Sequence, residues 1–346
     1  MPEVAVALSG GVDSSVAAAL LVEAGRDVFG LTMRLGLAEI AGRPCCGEEE
    51  AALARRVCSH LGIPHVVIDV ADAFRASVVE PFCDSYAAGS TPNPCVTCNE
   101  RIKFGLLAER ARELGATTLA TGHYARLAHD AGEVWLERAA DHDKDQSYFL
   151  YRVPAPTLAL LEFPLGSYTK TEVRKMAEAR GLPTAARRDS QEVCFTADHA
   201  ALVEAAHPGA GAPGPIERTD GARLGTHRGI ARYTVGQRKG LGIGGPDGPY
   251  RVLRIDAARS AVIVEPEAAP GMTEVLLSEP VWRLGIDAEQ VYAQMRYHAR
   301  PVAATARPEA AGLRVSFESP VAPLAPGQSV VLLVGDRIIG GGIVSH

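Results

Sequence analysis

From Val4 to Thr121 the apolar positions alternate between two spacings. Short, nearly continuous apolar runs at Val4 to Leu8, Val28 to Met33, His65 to Val70 and Thr117 to Thr121 have the length of strands buried on both faces. Between them, about Asp13 to Glu23, Glu48 to His60 and Ile102 to Glu113 repeat with helical spacing. Strand alternating with helix predicts an α/β domain with a parallel, doubly wound sheet, whose ligands sit beyond the carboxyl ends of the strands. The loops after Leu8, Met33 and Thr121 are therefore expected to face one crevice. His207 to Pro215 reads HPGAGAPGP, too rich in proline and glycine for helix or strand, and predicts a linker. Beyond about Thr273, Glu289 to Tyr297, Arg314 to Phe317 and Ser329 to Leu333 are short β-type runs between Pro/Gly turns, the pattern of a small β-barrel. The expected organisation is a catalytic α/β domain over 1–206, a linker and small central basic domain over 207–273, and a C-terminal β-barrel over 274–346.

Composition narrows the compartment and the chemistry. The chain has 346 residues, 47% hydrophobic and 22% charged, in the range of soluble globular proteins. It has no apolar run of the ~18 residues that would span a bilayer, so no membrane partner is expected. Neither a basic leader nor a cleavage site follows Met1, which predicts a cytoplasmic protein. Seven cysteines suit metal or redox chemistry better than a secreted disulfide framework. The net charge of −6 argues against a general nucleic-acid coat, but nine Lys/Arg face three Asp between Arg218 and Arg259, a local +6 that predicts phosphate contact.

Three motifs carry chemistry. Ser9-Gly10-Gly11-Val12-Asp13-Ser14-Ser15 joins the first strand to the first helix. Paired glycines let amides approach an anion and the helix N-terminus adds positive potential, which makes a phosphate cradle. It lacks the lysine of a Walker-type loop, so Mg2+, with Asp13 as a ligand or water holder, is expected to share the neutralisation. Cys95 and Cys98 form a C-x-x-C before a helical segment, where a helix N-terminus favours thiolate. A redox pair, half a zinc site and part of an iron–sulfur site all fit this spacing. Cys194 lies in DSQEVCF; Cys45 and Cys46 sit in an acidic loop, Cys58 reads as packed on a helix, and Cys83 carries no signal.

With SGGVDSS, TPNPCVTCN, ATGHYAR at 120–126, KDQSYFL at 144–150, DSQEVCF, GIARYTVGQRKGLG at 229–242 and PGQSVV at 326–331 in this order, nearly the whole chain resembles the tRNA-specific 2-thiouridylase family of ATP pyrophosphatase-loop enzymes. The resemblance implies that ATP, held by Ala7, Leu8, Ser9, Gly10, Gly11, Val12, Asp13 and Ser14 with Met33 and Gly122 about the adenosine, adenylates the 2-oxygen of the wobble uridine (position 34). It implies a persulfide on Cys194, with Cys98 freeing the sulfur through a disulfide. Asn93, Pro94 and Cys95 match the segment at the target base, and His123, Lys144, Asp145, Gln146, Arg296, Tyr297 and Gln328 match tRNA-contacting positions. The implied partners are the tRNA anticodon stem-loop and a sulfur donor such as a cysteine desulfurase or relay protein. The sequence departs from the family's best-known motif at Cys95, where an acid stands. Cys95, Cys98 and Cys194 instead resemble the three-thiolate set of other tRNA-thiolating enzymes that hold a [4Fe-4S] cluster. Two other readings compete: a small-molecule amidating ligase sharing only the cradle, and a non-catalytic metal- or sulfur-carrying tRNA-binding protein.

Overall fold

The computed structural model describes residues 3–36, 48–188, 193–245, 248–283 and 290–345. Contacts divide the chain into two compact units, the first of Met1–Val78, Cys95–Ala197 and Asp336–Ile338, the second of Val79–Pro94, Asp198–Gly335 and Ile339–His346.

The first unit is built on five parallel strands, β1 (Val4–Ala7), β2 (Val28–Arg34), β3 (His65–Asp69), β4 (Thr118–Thr121) and a short strand at Leu161–Glu162, in the order β3-β2-β1-β4 followed by that short strand. β1, β2 and β4 lie inside the sheet and are largely buried, which is why their sequences are mostly apolar, whereas the edge strand β3 is only half-buried with Val67 exposed. α1 (Val12–Glu23) packs Val12, Val16, Ala17 and Ala19 against Val173, Ala177 and Leu182, while Ala18 and Leu21 meet Val4 and Val6. α2 (Glu48–Leu61) covers the sheet with Ala54 and Cys58. The residues from Pro94 to Glu113 wind as an α-turn (Pro94–Thr97), a π-helix (Cys98–Leu107) and an α-helix (Ala108–Glu113), where the sequence pattern predicts a helix only from Ile102. After β4 come a hairpin, β5 (Arg126–Asp130) and β6 (Glu133–Glu137), and, following the short strand now numbered β7, α3 (Lys170–Ala179). A capping box between Thr169 and Glu172 starts α3 and so fixes the direction of Lys170. Asp336 joins this unit by accepting from Arg126 Nη2 at 3.0 Å and from the Arg138 amide at 2.9 Å, and Arg337 lies 4.8 Å from the Trp135 ring centroid.

The second unit contains two sheets. β8 (Gly214–Arg218), β9 (Arg223–His227), β10 (Tyr250–Asp256) and β11 (Ala261–Pro266) form one in the order β10-β11-β8-β9. The other is the expected barrel: β12 (Met272–Trp282), β13 (Val291–Gln294), β14 (Val302–Glu309), β15 (Gly312–Val321), β16 (Ser329–Val334) and β17 (Arg337–Val344), in the order β12-β15-β14-β13-β16-β17, closed by β12 on β17. Alternate residues such as Leu277, Val291, Ala293, Val315, Leu332 and Ile339 fill it. The HPGAGAPGP segment is not an open linker. α4 (His199–Ala206) leads into a 3-10 turn at Pro208–Gly211 with Ala210 buried, and β8 begins at Gly214. The backbone that packs against this turn must be glycine, because a Cβ on Gly229 (φ +108°) would lie 2.7 Å from the Gly211 Cα. No helix among the described residues is long and apolar enough to cross a membrane.

Candidate functional site

Ala7 pairs with Thr121, so the loops that leave β1 and β4 emerge side by side at the point where the strand order reverses. In the first loop Gly10 has φ +69°, and a Cβ there would lie 2.7 Å from the Glu50 carbonyl oxygen. The hydroxyls of Ser14 and Ser15 donate to the Gly11 carbonyl at 3.2 and 2.8 Å, and the Ser9 amide donates to Ser14 Oγ at 3.2 Å. These bonds tie the loop to itself and leave α1 without a side-chain cap among the described residues. Its first amides are therefore available to an anion. In the second loop a Cβ on Gly122 would sit 2.5 Å from the Ser14 amide nitrogen, so only glycine lets the two loops touch. Leu8 and Val12 are buried, and Met33 is half-buried at the end of β2.

The cradle has cations that its own sequence lacks. Lys170 Nζ donates to both carboxylate oxygens of Asp13 at 2.7 Å, and Tyr124 Oη donates to Asp13 Oδ1 at 2.8 Å. Arg187 Nη1 donates to the Gly10 carbonyl at 3.0 Å and its Nη2 to Glu50 Oε1 at 2.7 Å. Sequence reasoning missed Lys170 and Arg187. The capping box before Lys170 signals a helix start and nothing chemical. Tyr124 was within reach, as the last residue of Gly122-His123-Tyr124.

The thiol motifs meet in the same unit. Cys98 is buried on the π-helix; Cys95 and Cys194 reach the surface as residues, although their sulfurs are closely surrounded. Burial pushes the Cys95 and Cys98 thiols above the ordinary thiol range, opposed in both by the nearby Lys103 charge. Burial, reinforced by Cys98 and then Cys95, pushes Cys194 up to about 12, again opposed by Lys103. The helix-terminus argument for a ready thiolate at the C-x-x-C thus gives way to desolvation. Lys103 Nζ lies 3.4 Å from His123 Nε2, and His123 Nδ1 lies 2.7 Å from Thr121 Oγ1. Burial between Phe104 and Phe163, then the Lys103 charge, holds His123 well below the usual imidazole range, so the ring is neutral. A neutral ring that receives Lys103 at Nε2 carries its proton on Nδ1, toward Thr121. Asn99 Nδ2 donates to the Phe149 carbonyl at 3.2 Å and ties the cysteine helix to the KDQSYFL loop. Among the described residues no three His, Cys, Asp or Glu side chains converge as metal ligands. Cys45, Cys46 and Asp189 to Glu192 lie outside the described residues.

The expected tRNA contacts fare unevenly. Asp145 is 4% exposed, and its carboxylate accepts from the Ala139 and Ser147 amides, Ser147 Oγ and Arg138 Nε. It is a buried anchor of its loop, a correction to its expected role on tRNA. Gln146 brackets Tyr124, its Oε1 accepting from the Tyr124 amide at 3.0 Å and its own amide donating to the Tyr124 carbonyl at 2.8 Å. Lys144 is half-buried on the same loop. In the second unit Asn93 is half-buried and Pro94 buried, Arg296 is exposed, and the Tyr297 ring meets that of His298 at a tilt of 58° with centroids 3.8 Å apart. Gln328 Oε1 accepts from the Ala325 amide at 3.1 Å. The +6 segment is largely neutralised by acids that its boundaries exclude: Arg232 pairs with Glu204, Arg238 with Glu267, Arg251 with Glu265 and Arg259 with Glu217. Arg218 and Arg254 meet Asp220 and Asp256. Arg228 and Lys239 are exposed, and no carboxylate among the described residues pairs with either.

A parallel sheet with a glycine–serine cradle at its switch point, in a chain that also carries a closed barrel, defines an α/β protein whose β1 and β4 loops are built to hold an anionic group. Residues 2–198 match the family model described as "tRNA methyl transferase HUP domain", 206–266 the "tRNA methyl transferase PRC-barrel domain" and 272–344 the "Aminomethyltransferase beta-barrel domain". The chain is similar to the tRNA-specific 2-thiouridylase MnmA of Chloroflexus aurantiacus, 45% identical across 100% of this chain and 99% of that one. The corresponding proteins of Roseiflexus castenholzii and Rhodospirillum centenum are 43% identical over 100% of both chains, and 44% identical over 98% of this chain and 90% of that one. The chain belongs to the tRNA-specific 2-thiouridylase family.

Proposed function

We propose that this protein is an ATP-dependent tRNA 2-thiouridylase acting on the wobble uridine (position 34) of the anticodon loop. The observation that carries the reading is the presence, in one compact unit, of an uncapped anion cradle at the β1/β4 switch point and the three thiols of Cys95, Cys98 and Cys194. Splaying a loop uridine from its stack exposes carbon 2 to such a site.

ATP binds with its phosphates on the Ser9 to Ser14 loop, beside Gly122 and Met33. Mg2+ would accompany the phosphates and share in neutralising them; both Asp13 oxygens meet Lys170, so the loop carboxylate is taken up by that lysine. The uridine 2-oxygen attacks the α-phosphorus, pyrophosphate leaves, and the 2-oxygen becomes part of an AMP leaving group. In the second stage a sulfur-donor protein, such as a cysteine desulfurase or relay protein, passes the outer sulfur of its persulfide to Cys194 and is left as a thiol. That sulfur attacks carbon 2, AMP departs, and Cys194 is joined to the base through two sulfurs. The Cys98 thiolate attacks the Cys194 sulfur; the sulfur–sulfur bond breaks, its electron pair stays with the sulfur on the base, and a Cys98–Cys194 disulfide forms. A thiol reductant restores both thiols.

The same three thiols, Cys95, Cys98 and Cys194, would also suit a [4Fe-4S] cluster with one iron open to sulfide, the alternative to the persulfide route; iron and acid-labile sulfide in protein purified without oxygen distinguish the two. His123, Lys144, Gln146, Arg296, Tyr297 and Gln328 remain proposed tRNA contacts, with Asn93, Pro94 and Cys95 at the base. The test is an assay with unmodified tRNA, Mg2+-ATP and a persulfide donor. AMP and 2-thiouridine should appear together and only with tRNA. AMP formed equally well without tRNA would point to a small-molecule ligase, and no AMP at all to a non-catalytic tRNA-binding protein.

A further inference from the structure

The thiols share a nearby cation, Lys103. Lys103 is half-buried, and among the described residues no carboxylate pairs with it. A cation in that setting is costly unless an anion meets it. Its position follows from the π-helix at Cys98–Leu107. In an α-helix residues five apart point about 140° away from each other, whereas i→i+5 bonding stacks them on one face. The winding thus turns Lys103 toward the side of Cys98. The neutral His123 ring, held by Thr121, receives the ammonium at Nε2 and steadies it without cancelling its charge.

We propose that Lys103 stabilises the Cys98 thiolate in the step that releases sulfur to the base, with His123 and Thr121 as its positioning residues. The inference rests on the 2-thiouridylase reading above. In the step concerned, the Cys98 sulfur bonds to the Cys194 sulfur, the bond to the outer sulfur breaks, and the electron pair leaves on the 2-thiouridine sulfur. The ammonium offsets the charge on the attacking sulfur before it is passed on. Neither proton nor oxidant is consumed.

Blocking this step has a signature that simple loss of fold lacks: tRNA stays covalently attached to Cys194 through two sulfurs. The experiment is a single turnover with enzyme loaded with sulfur by a cysteine desulfurase and desalted, then given tRNA and Mg2+-ATP. AMP, 2-thiouridine and a dithiothreitol-sensitive protein–tRNA adduct are followed together. In K103M and K103Q the release of 2-thiouridine should slow about tenfold or more relative to AMP formation, with adduct accumulating as it does in C98S. K103R should restore release and clear the adduct. Release keeping pace with AMP in both neutral variants, or loss of AMP and 2-thiouridine in equal proportion without adduct, overturns the proposal. Wild-type enzyme that forms no 2-thiouridine defeats the parent reading. Wild-type thiolation with no adduct in C98S removes Cys98 from release, and Lys103 with it.

Discussion

Lys170 spans 157 residues of sequence to place its ammonium 2.7 Å from both oxygens of Asp13, in the first turn of the helix that opens at the cradle. The pair supplies the lysine that the loop itself lacks. It also holds the loop carboxylate in one orientation beside Tyr124.

Loss of that cation is expected to damage the adenylation stage. K170M should lower tRNA-dependent AMP release by about 100-fold, and K170R should recover part of it. In denaturant titrations of D13N, K170M and the double variant, the two sites should couple by about 0.5 to 3 kcal/mol. Zero coupling together with normal AMP release would remove the pair from the cradle.

Thiol reactivity should follow pH in the direction set by burial. With the Cys194 acidity constant pushed up to about 12, the neutral thiol dominates at every lower pH, and its thiolate fraction grows tenfold per unit. Iodoacetamide should label Cys194 in the tRNA-free enzyme about 100-fold faster at pH 9 than at pH 7. A plateau reached below pH 9 would show a thiol activated despite its surroundings.

Asp145 should matter to the fold first. D145A leaves the Ala139 and Ser147 amides without their acceptor in a buried loop, which is expected to cost about 2 to 4 kcal/mol. Melting temperature and chemical denaturation report the loss. For the folded fraction, tRNA affinity at low temperature should stay within about threefold of wild type; a larger drop would restore Asp145 as a contact.

Electrostatic binding in the central sheet should depend on Arg228 and Lys239 more than on the paired cations. Each phosphate that a removed cation no longer neutralises lowers the slope of log affinity against log salt by roughly 0.7 to 0.9. R228A/K239A should therefore flatten the slope by about 1 to 2, as measured by filter binding across salt. R238A, whose guanidinium is already matched by Glu267, should change it little.

What could be read from sequence was whatever lies contiguous along the chain. The cradle is one strand, one turn and one helix start, so its glycines and serines announce it, and the barrel's alternating strands do the same. Lys170 escaped because its partner is distant and its neighbours spell only a helix cap. The local charge of the +6 segment is smaller than its count implies because Glu204, Glu217, Glu265 and Glu267 fall outside Arg218 to Arg259 in sequence, while folding brings them onto its arginines. Asp145 looked like a surface charge in a polar run, since a short sequence does not reveal that two amides turn inward to meet it. The π-winding has no periodic signature over ten residues, so Lys103 could not be matched with Cys98 by helical spacing.

Asp336 accepts from Arg126 and from the Arg138 amide, although some two hundred residues of translation separate them. During synthesis the cradle, the cysteine helix and α3 all leave the ribosome before the residue that finishes their unit exists. Residues 79–94, made early, wait likewise for the strands they join. The nascent chain therefore has no stage at which the catalytic half is complete while the rest is still being made. A stop codon placed after residue 206 should give a fragment that lacks the Asp336 contacts and is prone to aggregate, and a cell would not accumulate a half-enzyme able to adenylate tRNA without finishing the transfer.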